Sequence, residues 1–209
     1  GLMFVDDTDL ITFRNEGESC ASHLRHAQRK LHLWQEGLNV LGGDLKAAKC
    51  YWYWVAYRWV SGEWKYTTPT DLPGELCIHK GSFGTARIKR LPATSNEKAL
   101  GFLQRPDGKM DEEVKKMIAM SKEWTANVRN SALHRRLAWQ GLKGTIWRSL
   151  DYKLKATTIT KEQGDKISTA LYYPLLPRLG SVASISLEFR HGTVKYQGLD
   201  LPHPYTAQA

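Results

Sequence analysis

Apolar positions along the chain change their spacing twice. The run Leu2-Met3-Phe4-Val5 stops at Asp6-Asp7, and the β-prone stretch Leu10-Ile11-Thr12-Phe13 follows. Two short strands joined by an acidic turn make a hairpin with carboxylates at its tip. Cys20, Leu24, Ala27, Leu31, Trp34, Leu38 and Leu41 then recur by four and three, the stripe of one amphipathic helix. Ser19 suits its N-cap and Gly42-Gly43 its stop. Arg25, Arg29 and Lys30 fall off the stripe, on or near the solvated face, and the stripe itself is expected to pack on a sheet.

From Lys49 to Trp59 the aromatic and β-branched content predicts a strand, with Trp64 and Tyr66 returning after Gly62 as a hairpin. Aromatics interleaved with Arg58 and Lys65 have two uses. They can stack on bases, or they can form a sheet face packed on a helix. Packing is the commoner case and is the expectation here. Thr67 to Pro73 is turn-rich, and Gly74 to Leu91 alternates loosely with basic residues. A further turn lies at Arg105-Pro106-Asp107-Gly108.

The period lengthens from Asp111, where Val114, Met117, Ile118, Ser121, Trp124, Thr125 and Val128 follow helical spacing. Ile146, Leu150 and Leu154 predict another helix, with Gly141 and Gly144 breaking the stretch before it. Thr160 and Gln163 form a capping box that opens a helix through about Leu171, ended by Pro174 and Pro177. The tail, with Gly192, Gly198, Pro202 and Pro204, reads as irregular. The pattern as a whole is α+β. Residues 1–105 carry short antiparallel strands packed by a helix, and residues 106–209 form a mostly helical region with an irregular tail.

Composition narrows the function classes. With 42% hydrophobic and 24% charged residues the chain is that of an ordinary folded domain, and it has no apolar run of membrane-spanning length. The amino-terminal stretch contains Asp6, Asp7 and Asp9 and lacks a basic start, so it does not read as a signal peptide. Gly1 in place of an initiator Met leads us to expect a fragment. Lys and Arg outnumber Asp and Glu by 30 to 21, an excess that attracts polyanions. Cys20, Cys50 and Cys77 form neither a disulfide framework nor a zinc pattern, which points to a reducing compartment, nucleus or cytoplasm. Cys20, His23 and His26 would fan around a helix axis, about 100° per residue, and so do not converge on a metal.

The chemistry lies in Phe4-Val5-Asp6-Asp7-Thr8-Asp9-Leu10. Nucleotidyl transfer by two metals needs carboxylates held on rigid strands beside two ions about 3.5–4 Å apart. A hairpin tip after an apolar strand anchors and exposes such carboxylates, whose oxygens suit Mg2+ or Mn2+. The segment resembles the aromatic-x-Asp-Asp signature of reverse transcriptases, and Thr8 and Leu10 also fit. An acidic turn of a plain hairpin is the competing account.

Further along, the order of helix, Gly42-Gly43 and Lys49-Cys50 is similar to that of reverse transcriptases of non-long-terminal-repeat retrotransposons. So are Lys98-Ala99-Leu100-Gly101-Phe102, like the Leu-Gly turn of the primer-grip hairpin, and the ending Gly198-Leu199 with Pro204, Tyr205 and Gln208. The likeness covers most of the chain and is strongest over residues 1–55 and 97–128. It implies the end of a polymerase palm over 1–105 and a thumb over 106–209. It further implies Asp6 as metal ligand, Asp7 as supporting acid on the metal, Lys49 near the incoming nucleotide, and Leu100 and Gly101 positioning the primer. Lys49 reads equally well as a strand-edge charge.

The implied partners are an RNA template, a DNA primer and deoxynucleoside triphosphates, with no membrane. The resemblance also calls for an aspartate on an earlier strand and for fingers, neither of which lies within this sequence. The chain alone is therefore expected to be inactive without the amino-terminal part of the same polypeptide. The alternative is a non-catalytic nucleic-acid-binding protein or a decayed retroelement remnant.

Overall fold

The computed structural model describes residues 2–4, 7–81, 84–99 and 101–208, with residues 2–4 and 7 described by their backbone alone. The chain divides into two compact units, residues 1–95 with 105–107, and residues 96–104 with 108–209. Short strand pairs and helices alternate along it, a mixed α+β architecture.

In the first unit, β1 (Leu2–Phe4) and β2 (Asp7–Asp9) form an antiparallel ladder pairing Leu2 with Asp9 and Phe4 with Asp7. The second strand therefore starts earlier than the apolar pattern indicates. β1 offers only three residues, so the ladder runs out at Asp9, and Leu10, Ile11 and Phe13 stand exposed outside it.

Helix α1 spans Cys20–Val40. The Ser19 hydroxyl accepts from Ser22 N at 3.2 Å, and Gly42 at φ +80° turns the chain away. Its stripe is only half-buried and Leu41 is exposed; Gln35 is the one buried residue of the helix. The reason is the nature of the surface beneath α1. Strand β6 (Cys77–Lys80) pairs with β7 (Gly84–Arg87) along one edge and presents its other edge to the helix. Gln28 donates to Cys77 O (2.6 Å) and accepts from Cys77 N (2.9 Å). Gln35 does the same with His79, at 2.7 and 2.8 Å. Two amides thus take the place of a neighbouring strand and satisfy backbone groups that would otherwise be orphaned.

The predicted strand from Lys49 to Trp59 is broken into three pieces. Ala47–Lys49 is a 3₁₀ turn, in which Lys49 N donates to Lys46 O at 2.8 Å and Cys50 N to Ala47 O at 3.2 Å. β3 (Tyr51–Tyr53) runs parallel to β8 (Lys89–Leu91), a pairing that the antiparallel expectation missed. β4 (Tyr57–Val60) leaves for a different partner, β5 (Glu63–Tyr66), through a turn with Ser61 at φ +52° and Gly62 at φ +83°. Positive φ at both central residues gives the turn whose twist matches a two-residue hairpin. Tyr57, Trp59 and Trp64 on this hairpin are exposed, contrary to the packed face expected from their apolar bulk. Each ladder is two-stranded, and none joins another into a wider sheet among the described residues.

In the second unit, β9 (Glu97–Ala99) and β10 (Phe102–Gln104) form a hairpin. Helix α2 (Asp111–Asn130) buries Val114, Met117, Ser121, Thr125 and Val128, the stripe read from sequence. α3 (Arg135–Gly141), a π-helical turn (Leu142–Ile146) and α4 (Trp147–Leu154) follow without interruption. The glycines expected to break this stretch do not. Gly141 lies against Trp124, where a Cβ would sit 3.4 Å from the ring. Burial of Leu142, Ile146, Leu150 and Leu154 offsets the cost of about 1 kcal/mol that each glycine carries in a helix.

α5 (Lys161–Tyr172) opens on the capping box of Thr160 and Gln163 and ends before Pro174. Pro177 sits inside the first turn of α6 (Leu176–Leu179). The tail, read as irregular, contains α7 (Leu187–His191), a 3₁₀ turn (Val194–Tyr196) and α8 (Pro204–Ala207). It is firmly held: Tyr172 Oη donates to Pro202 O at 2.7 Å, and Gln208 exchanges two hydrogen bonds with Ile159. No helix is long and apolar enough to cross a membrane among the described residues.

Candidate functional site

The acidic hairpin is the first of the places singled out by sequence. Its ladder closes on Phe4 and Asp7, on either side of Val5 and Asp6. Asp6 lies outside the described residues; Asp7 opens β2. The chemistry of this donor set fits a hard divalent cation, since carboxylate oxygens are what Mg2+ or Mn2+ takes. Among the described residues no cluster of three or more His, Cys, Asp and Glu side chains could hold a metal.

Lys49 ends the 3₁₀ turn and is exposed, with no ion pair to a described residue. It is therefore a turn charge and not the strand-edge charge that the pattern suggested. Behind this turn, β3 places Trp52 near Arg90, whose guanidinium lies 5.0 Å from the Trp52 ring and 5.6 Å from that of Trp54. Burial holds the Arg90 pKa below its usual value. The cation is sequestered by aromatic faces and by Leu72 O, to which it donates.

In the second unit, Gly101 adopts φ +88° in the two-residue connection between the paired Ala99 and Phe102. Leu100, its predicted partner, lies outside the described residues. This hairpin is fastened to the helices by a residue that sequence reasoning passed over. Glu113, 1% exposed, accepts from Leu103 N at 2.8 Å with one carboxylate oxygen and from Lys153 Nζ at 2.6 Å with the other. From sequence it is simply the third acid in the first turn of α2, where acids are common. Its partners, 10 and 40 residues further along or back, leave no local signal.

Charge is distributed unevenly. Residues 96–104 and 108–209 hold 17 Lys and Arg against 10 Asp and Glu (+7), and the remainder holds 13 against 11 (+2), together the +9 of the chain. Part of the excess lines a shallow groove of about 470 Å³ formed by Trp139, Gln140, Lys143, Gly144 and Arg148. Lys143 Nζ stands 5.9 Å from the Trp139 ring centre, and Trp139 Nε1 donates to Leu179 O at 3.3 Å, fixing the indole. Neither Lys143 nor Arg148 pairs with a carboxylate among the described residues. A fixed aromatic beside unpaired cations is suited to a phosphate-bearing polymer. The doublet Arg135-Arg136 and the nearby Lys143 were the available sequence signal for it.

No family model, curated protein or solved structure matches this chain.

Proposed function

We propose that this chain is the palm end and thumb-like part of an RNA-directed DNA polymerase of the non-long-terminal-repeat retrotransposon type. In this reading the whole protein adds deoxynucleotides to the 3′ end of a DNA primer along an RNA template. The observation that carries it is the β1–β2 ladder, whose closing pair joins the Phe4 and Asp7 of an aromatic-x-Asp-Asp sequence. Support also comes from the hairpin around Gly101 and from the +7 charge of the helical unit.

Asp6 and Asp7 would hold Mg2+ or Mn2+, which when bound activates the primer hydroxyl and steadies the departing pyrophosphate. Lys49, exposed at the end of its turn, can meet the nucleotide phosphates. The turn at Leu100 and Gly101, tied to the helices through Glu113, positions the primer, and the groove at Lys143 and Arg148 takes up backbone charge. An aspartate on a further strand, and fingers, would be supplied by preceding sequence.

The test is Asp6→Ala in a protein extended by that sequence. Primer extension should be lost while template binding persists. Retained extension would remove Asp6 from its role and the polymerase reading with it. The concentration of charge on the helical unit favours a second reading, nucleic-acid binding without chemistry. That reading predicts no extension by the unsubstituted extended protein, with binding lost in Lys143→Glu/Arg148→Glu.

A further inference from the structure

The β4–β5 hairpin displays its aromatic residues instead of burying them. Of the eight tryptophans in the chain, Trp59 and Trp64 are the two exposed ones, at 60% and 67%. They face each other across the ladder with ring centres 5.2 Å apart at 72°. Tyr57, 56% exposed, faces Tyr66 at 4.6 Å, and the Tyr57 hydroxyl donates to that of Tyr66 at 3.0 Å. Residues two apart in a strand share a face, so these four rings form one aromatic surface.

The surface is rigid. The turn at Ser61-Gly62 sets one end, and Thr67 N donates to Ala56 O at 2.9 Å at the other. On the reverse face Arg58 donates to Asp71 at 2.6 Å. Asp71 also accepts from the Thr68 N–H (2.8 Å) and hydroxyl (2.7 Å), and these bonds, the N–H foremost and then the hydroxyl, with Arg58, hold its pKa below the usual carboxylate range.

We infer that this aromatic face is a stacking platform for unpaired bases of single-stranded nucleic acid. Three observations choose this occupant. The rings are Trp and Tyr, whose flat faces accept any base, and the protein that carries them is basic by +9, of which +2 lies in this unit. Three of these rings are more than half exposed and Tyr66 is half-buried; at about 150–250 Å² each they present on the order of 400 Å². A second copy of the chain would need roughly 800 Å² per partner for a stable interface. Finally, Arg58 is held by Asp71 and Lys65 lies 3.8 Å from Glu63, so the hairpin offers ring faces and not free cations. Its contribution should distinguish unpaired from paired bases, because duplex bases are already stacked on one another. The inference rests on the polymerase reading for the class of ligand alone.

The experiment follows intrinsic tryptophan fluorescence of the chain as oligothymidylate of about ten nucleotides is added, within the site sizes of aromatic single-strand binders. The single strand should quench emission more than the duplex of the same sequence, which can reach Trp139 in the groove but has no unpaired base for the hairpin. Trp59→Val/Trp64→Val, which keeps β-branched strand formers, should abolish the excess of single-strand over duplex quenching and weaken single-strand binding at least about tenfold, since stacking contributes roughly five- to 150-fold per base. Trp59→Tyr/Trp64→Tyr should bind close to the parent while losing the excess quench, which places the responding rings on this hairpin even if the valine variant fails to fold; an excess quench retained in the tyrosine variant would overturn the inference. Equal quenching by duplex, undiminished binding by a folded valine variant, or a spectrum that shifts with protein concentration alone would overturn the inference. The last outcome would make the face a self-association surface. The readout needs neither metal nor primer extension, so failure of the polymerase reading leaves a separate trace.

Discussion

From Val114 to Leu201, sixteen buried apolar side chains form one continuous core in the helical unit. Among its described residues, the strand-rich unit of similar length buries only the apolar side chains Leu76, Ile78, Ile88, Leu91 and Ala93. The difference follows from geometry. A helix of 20 residues such as α2 turns a whole stripe inward, whereas a ladder of three or four pairs that joins no other ladder has little surface to cover. The first unit relies instead on directional contacts: the amide bonds of Gln28 and Gln35, the aromatic pairs of β4–β5, and Arg90 against two indoles. Apolar packing tolerates small shifts of geometry and directional contacts do not. The two units should therefore fail differently.

The largest expected effect is in the helical core. Leu150→Ala, at a fully buried position, should cost roughly 4 kcal/mol in urea denaturation. Ile78→Ala in the thin core of the other unit should cost about 2; equal losses would remove the contrast. Next is Glu113→Gln, which probes a buried charge on which the helical unit depends. Loss of the Lys153 pair should cost about 3 kcal/mol and speed amide exchange at Leu103. Unchanged exchange there would show that the hairpin does not depend on this carboxylate. The smallest is Gln35→Ala, expected to cost about 1 kcal/mol by leaving His79 N–H and C=O unpaired. Its readout is faster amide exchange at His79 with the helical unit unaffected, and an unchanged His79 rate would return the role to apolar packing.

Features set by neighbouring residues were legible in the sequence. Ser19 capping α1, the Thr160–Gln163 capping box and the stripe of α2 all depend on spacings of a few residues. Contacts between distant segments were not. The split of Lys49–Trp59 depends on partners at Lys89–Leu91 and Glu63–Tyr66. Gly141 reads as a breaker until Trp124 is seen beside it. At the candidate site the acidic dipeptide and the Gly101 turn stood out by residue type, whereas Glu113 and the groove beside Trp139 did not. Their roles come from tertiary neighbours that composition does not name.

The π-helical turn determines how that groove is furnished. Residues five apart on an α-helix point about 140° away from one another, so Lys143 and Arg148 would lie on different sides of a regular rod. The widened turn, in which Trp147 N–H reaches back five residues to Leu142 O, lets both line the same hollow. Deleting one residue between 142 and 146 should restore the ordinary winding and swing Arg148 around the axis, dispersing the positive charge without altering either basic side chain.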